Sequence, residues 1–286
     1  MVILYPLALV LGGCAAGPKK VTAPEVTETA VRFAPEPRIS RQISEFMQLA
    51  EVQGQVDQAL QGLLSLELDS PPPLAEEAAY RRAQLMLRHN YLEGVNLALE
   101  LLARYPDHAL APYAHLWLAE WGSRHGDMAM VRRHTLATLK HPRLTKKAAE
   151  EAVALGLDAA RQAPEWEAVQ WLFAAASVNP EHASDWLRAA AERSSMSSIR
   201  RLQTMGMLGT ETGRRFLQYA ARYRLVTGNM EDVQTILDVL AVEAPGSPEY
   251  LRVRDWSEGI ARETSLGVLL PLSGPYARYG EQALRG

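Results

Sequence analysis

The chain holds one cysteine, and its position is the first chemical signal in the sequence. Cys14 follows Leu11-Gly12-Gly13 at the end of an apolar run from Val2 to Leu11. A lone thiol makes no disulfide within the chain and no zinc site built from several thiolates. What remains for Cys14 is modification of its own sulfur, beside small residues that leave the backbone open to a peptidase. Histidines come next. His108, His115, His125, His134 and His141 fall in one stretch. None forms a pair at i, i+4, and no His-Glu-x-x-His pattern occurs, so they read as hydrogen-bonded or exposed imidazoles on separate helices. Trp117, Trp121, Trp166, Trp171, Trp186 and Trp256 sit in apolar helical stripes and read as core. The basic pairs Arg132-Arg133, Lys146-Lys147, Arg200-Arg201 and Arg214-Arg215 are isolated and balanced by acids, which describes solvated faces. No phosphate-cradling loop follows a strand there and no nucleophile motif appears, so neither an enzyme nor a cofactor is expected. Near the other end, Ser273-Gly274-Pro275 opens a short helix at Tyr276. Such an N-terminus offers free N–H groups to an anion such as a carboxylate.

The elements that must carry these residues are mostly helical. From Ser40 to Glu263 the sequence is rich in Ala, Leu, Arg, Glu and Gln, and apolar residues recur at three and four. Leu110, Ala114, Trp117, Trp121 form one stripe, and Met128, Val131, Thr135, Leu139 another. Pro106, Pro142, Pro180 and Pro245 each close an apolar helix, and sixteen residues before each stands Asn90, Gly126, Pro164 or Asn229. That repeated offset predicts a second helix of about fourteen residues in each unit, entered by a turn and ended by proline. The gap from Pro180 to Pro245 fits two units, with a degenerate turn near Ser194 and Ser195. A single opening helix is expected from Ser40 to about Leu68, stopped by Asp69-Ser70-Pro71-Pro72-Pro73. Before it, Ala15 to Arg38 carries Pro18, Pro24, Pro35 and Pro37 and few large apolar groups, the composition of an extended tether. After Glu263, Ser265 to Leu270 reads as a buried strand. With the helix from Tyr276 it makes a first βα unit, the start of a parallel sheet.

Three stretches resemble known families. Leu11-Gly12-Gly13-Cys14 resembles the lipobox of bacterial lipoproteins, which implies a diacylglyceryl group on Cys14 and cleavage before it. Ala15 after the cysteine implies the outer membrane, facing the periplasm. No Lys or Arg precedes the apolar run, a departure from that pattern that leaves room for an upstream start. No apolar run reaches the roughly 18 residues of a membrane span, so the lipid is the expected anchor. The helical units resemble tetratricopeptide repeats. Asn90-Tyr91, Gly94, Ala98, Leu101 and Pro106 fit that motif's second helix, and Pro164, Ala168, Leu172, Ala175 and Pro180 fit it less closely. The first helices depart from the motif. Such repeats stack into an α-solenoid whose concave face binds peptides or proteins.

The segment GVLLPLSGPYARYGEQALRG resembles the start of type I periplasmic ligand-binding domains, including amino-acid receptors of ABC importers. That resemblance implies ligand contacts at Ser273, Gly274 and Tyr279, and a domain of which only the first unit is present. The expected organisation is residues 1–14 signal peptide and lipobox, 15–39 tether, 40–263 tetratricopeptide-like helical domain and 264–286 the incomplete α/β domain. The combination resembles outer-membrane lipoproteins that activate bifunctional penicillin-binding proteins. It implies a mainly α, non-catalytic regulator of peptidoglycan synthesis, with a penicillin-binding protein or other cell-wall synthesis protein as partner. A small-molecule ligand belongs to the missing domain. The alternatives are an importer receptor with a helical extension and a plain scaffold lipoprotein. With 30 basic and 33 acidic residues, nucleic acid is not an expected partner.

Overall fold

The computed structural model describes residues 32–262. Cys14, Ser273, Gly274 and Tyr279, the lipobox and the expected βα unit lie outside the described residues. Among the described residues the chain forms thirteen helices and no strand. They are α1 (Arg41–Gln53), α2 (Val56–Asp69), α3 (Pro72–Arg88), α4 (Leu92–Arg104), α5 (Ala111–Arg124), α6 (Met128–Leu139) and α7 (Lys146–Arg161). They continue as α8 (Glu165–Val178), α9 (Ala183–Arg193), α10 (Met196–Thr204), α11 (Glu211–Val226), α12 (Met230–Glu243) and α13 (Pro248–Arg262).

The turn residues act where the sixteen-residue offset places them. Asn90 takes φ 63° between α3 and α4, and Gly126 takes φ 73° between α5 and α6. Pro164 precedes α8, and the Asn229 side chain accepts from Asp232 N to cap α12. The second helices that follow are 13, 12, 14 and 14 residues long, and each closing proline lies just past one of them. Ser194 and Ser195, both with extended backbone, link α9 to α10, so the long gap holds four helices, the number two units need. The opening segment differs from expectation. Gly54 adopts φ 63° and donates its N–H to Leu49 O, splitting the expected single helix into α1 and α2. Pro72 and Pro73 then occupy the first turn of α3, where a missing N–H costs nothing.

The odd-numbered helices meet in two runs, α3 on α5 and α5 on α7, then α9 on α11 and α11 on α13, and α8 joins the runs by packing on both α7 and α9. Three apolar cores result. One joins α1 to α3 through Ile43, Ala59, Leu63 and Leu85. A second joins α3 to α5 through Tyr80, Ala98, Leu101 and Trp117. The largest continues from α5 to α13 through Leu116, Trp171, Phe173, Phe216, Ile236 and Val253.

Arginines near the ends of the odd helices tie the stack together. Arg124 donates to Leu87 O at 2.7 Å and Arg88 O at 3.1 Å, the last carbonyls of α3. Arg193 donates to Arg161 O at 2.6 Å and Ala163 O at 2.8 Å, at the end of α7. Buried Arg224 donates to Ser194 O at 2.7 Å, just past α9. The last carbonyls of a helix have no partner within it and carry partial negative charge, so a cation from the next unit satisfies both needs. Arg161, in the same place on α7, pairs instead with Asp158 of its own helix at 3.3 Å.

Candidate functional site

A shallow groove runs across α3, α5 and α7, and the chain's own residues Phe33–Pro37 lie in it. The groove exists because the small residues of these helices are spent inward. Ala83, Ala114 and Ala148 are fully buried, which brings the helices close and leaves their longer side chains to face outward. One depression of about 320 Å³ is lined by Arg81, Gln84 and Arg88 of α3, Tyr113, Trp117 and Glu120 of α5, Lys147 and Glu151 of α7, and by Glu36 and Pro37. Beside it, a depression of about 400 Å³ is lined by Phe33, by Lys146, Ala149 and Val153 of α7, and by the α8 end from Val178 to Glu181.

The segment is held at three points. Ala34 N donates to Leu144 O at 2.8 Å. Phe33 packs against the largest core. Glu36 accepts a hydrogen bond from the Tyr113 hydroxyl. Tyr113 has one proton, so with it committed to Glu36 its oxygen accepts from Thr145 Oγ1, 2.8 Å away. Thr145 Oγ1 in turn accepts from Ala148 N and caps α7. Burial first, and the bond to Glu36 next, push the Tyr113 phenol up to about 12. Pro35 and Pro37 bias Ala34 and Glu36 toward extended backbone. Five extended residues reach about 15 Å, enough to cross helices spaced about 8–10 Å apart.

Arg81 is the charged group the segment leaves incompletely served. Its guanidinium lies over the Trp117 ring at 5.9 Å and donates one bond to Gln84 Oε1 at 2.9 Å. Its Nε is buried with no hydrogen-bond partner. Burial is the main influence lowering its pKa, against an attractive contribution from Glu77. Glu151 is raised first by burial, with Glu120 and Glu36 adding repulsion.

The histidines are dispersed, as the spacing predicts, with one exception. His108 stacks on Tyr80 at 4.7 Å and accepts from Leu110 N. His125 lies against Trp121 O, and His141 Nε2 against Pro106 O. His115 on α5 and His134 on α6 meet with their Nδ1 atoms 3.0 Å apart. Among the described residues no group of three His, Cys, Asp or Glu is placed to hold a metal. Of the tryptophans, Trp171 is fully enclosed and donates its Nε1 proton to Thr135 Oγ1 at 2.9 Å. No helix of the described residues is long and apolar enough to cross a membrane.

The sequence reading placed its site residues at the two ends, which the described residues do not include. It missed the seating of Phe33–Pro37, because composition marks this stretch only as tether. The available signal was Phe33 beside two prolines and an acid, an aromatic residue out of keeping with a solvated linker. No family model matches the chain, and no curated protein or solved structure matches it.

Proposed function

We propose that this protein is a non-catalytic cell-envelope lipoprotein that regulates peptidoglycan synthesis by binding and activating a penicillin-binding protein. The observation that carries the reading is the order of parts along the chain. Leu11-Gly12-Gly13-Cys14, which resembles a lipobox, comes first, then a proline-rich stretch, helical hairpins, and over 264–286 a segment that resembles the opening of a type I ligand-binding domain. The middle part is read as tetratricopeptide-like. Its support is two runs of odd helices packed on one another, α3 to α7 and α9 to α13, with a second helix of twelve to fourteen residues in four of the units. A groove with an extended segment in it suits a protein that acts by contact. Lipid on Cys14 anchors the chain to the outer membrane, and Ser273, Gly274 and Tyr279 belong to the ligand-binding part.

The test is direct. The purified protein is mixed with a bifunctional penicillin-binding protein, and complex formation, glycan polymerisation and crosslinking are followed. Co-purification with a rise in either reaction is the expected result. An unchanged synthase, together with tight amino-acid binding in calorimetry, would transfer the case to the importer receptor.

A further inference from the structure

We infer that the groove across α3, α5 and α7 is a binding site for an extended, proline-flanked acidic segment of a partner protein. Residues Phe33–Pro37 are its resident competitor. The inference shares with the proposed function only the premise of contact with another protein, and its test contains no synthase.

Three observations carry it. First, the seated segment shows what the groove accepts. An aromatic ring enters the α7–α8 end, one backbone N–H finds Leu144 O, and a carboxylate meets the Tyr113 hydroxyl. Prolines on both sides of that carboxylate remove N–H groups the groove does not need to satisfy, and they reduce the entropy lost on seating. Second, the charges are complementary to an acid. In the depression around Glu36 the body contributes Arg81, Arg88 and Lys147 against Glu120 and Glu151, three cations less two anions, or +1. Glu36 of the segment brings the lining to zero. Arg88 is already paired with Glu51 and Lys147 with Glu151, which leaves Arg81 as the cation of that lining with no ion pair. Third, the resident leaves the best anchor incompletely used. Glu36 takes Tyr113, while the buried Nε of Arg81 keeps no partner. A carboxylate reaching Arg81 as well would gain a charge-assisted bond that the resident lacks, and so could displace it.

The competition follows from connectivity. Phe33–Pro37 lies only a few residues before Ser40, the cap of α1, so it faces the groove at an effective concentration of roughly millimolar. A partner must exceed that handicap. The resident segment thus sets a threshold for binding.

A fluorescent pentapeptide, acetyl-Phe-Ala-Pro-Glu-Pro-amide with the dye attached through a C-terminal linker, is the probe. It is titrated by anisotropy into the full chain and into the full chain carrying Phe33→Ala and Glu36→Ala. The double variant is expected to bind at least tenfold more tightly than the wild type. Replacing the peptide's Glu by Lys, or adding Tyr113→Phe to the double variant, should weaken binding at least fivefold with the helical circular dichroism unchanged. In wild-type protein, unlabelled peptide should speed tryptic cutting at Arg38. Equal affinity of wild type and double variant would overturn the inference. So would binding indifferent to the peptide's charge, or no binding by either chain at millimolar peptide.

Discussion

Gly156 on α7 faces the one hydrogen bond that joins α6 to α8 in the buried core, and a single methyl group there should unsettle it. A Cβ at this position would lie 2.6 Å from Thr135 Oγ1, 2.6 Å from Trp171 Cζ2 and 2.7 Å from Trp171 Nε1. Thr135 and Trp171 are both enclosed, so neither can swing into solvent. Helix propensity favours Gly156→Ala by about 1 kcal/mol. Against it stands overpacking of about 1–3 kcal/mol. If the indole retreats, its N–H loses Thr135 and remains buried without a partner, a further cost of about 1–3 kcal/mol. The net effect is a loss of about 3 kcal/mol, with the opposing terms taken at mid-range. Gly259→Ala on α13 is the matched control, since a Cβ there meets nothing within 4 Å. That change should stabilise by up to about 1 kcal/mol. Urea unfolding followed by far-ultraviolet circular dichroism reads both variants, and tryptophan emission reports the displaced indole. A Gly156→Ala midpoint at or above that of the wild type would refute the packing argument.

Tyr80 is fully buried, and its hydroxyl is shared between Leu101 O at 3.1 Å and Tyr105 O at 3.0 Å. Tyr80→Phe should therefore cost about 1–2 kcal/mol in the same unfolding assay. The facing Nδ1 atoms of His115 and His134 hold one proton between them. Burial keeps both imidazoles down at about 4, with repulsion from His134 adding to the effect on His115 and from Arg133 on His134. The unfolded chain takes up protons near the ordinary 6.5, so stability should fall as pH drops from 6.5 toward 4. His134→Gln should flatten that slope in acid titrations monitored by thermal melting. Metabolic labelling with a palmitate analogue should mark the wild type and leave Cys14→Ser unmarked; equal labelling would remove the lipid anchor.

How much of this was legible depends on whether a signal is local. Asn90, Gly126, Pro164 and Asn229 act on their own backbone, so their spacing reads straight through to helix ends. The break at Gly54 was missed because apolar residues continue on both sides of it, and only the left-handed backbone of Gly54 decides that α1 stops. The arginine ties were open to inspection as Arg88, Arg124, Arg161, Arg193 and Arg224, one near the end of each odd helix from α3 to α11. Which of them bridge units depends on the crossing of helices some thirty residues apart, and Arg161 does not bridge. The His115–His134 contact and the seating of Phe33 are likewise consequences of packing across units, which no local period reports.

The place where Phe33 meets the helices has a mechanical meaning. The chain enters the described body against α7 and the end of α8, in the middle of the array, although its first helix stands at one end. A pull applied at Phe33 would therefore be taken up first beside α7, through Phe33 and the bond from Ala34 to Leu144. Contacts met one after another give way in sequence, as in a zipper, each under the full load. Glu36 and Tyr113 come next in line, and α1 feels the pull only after the groove is empty. For a pull applied at Phe33, the contacts of the segment therefore stand in line ahead of α1, and peeling them would come before any load on the first helix.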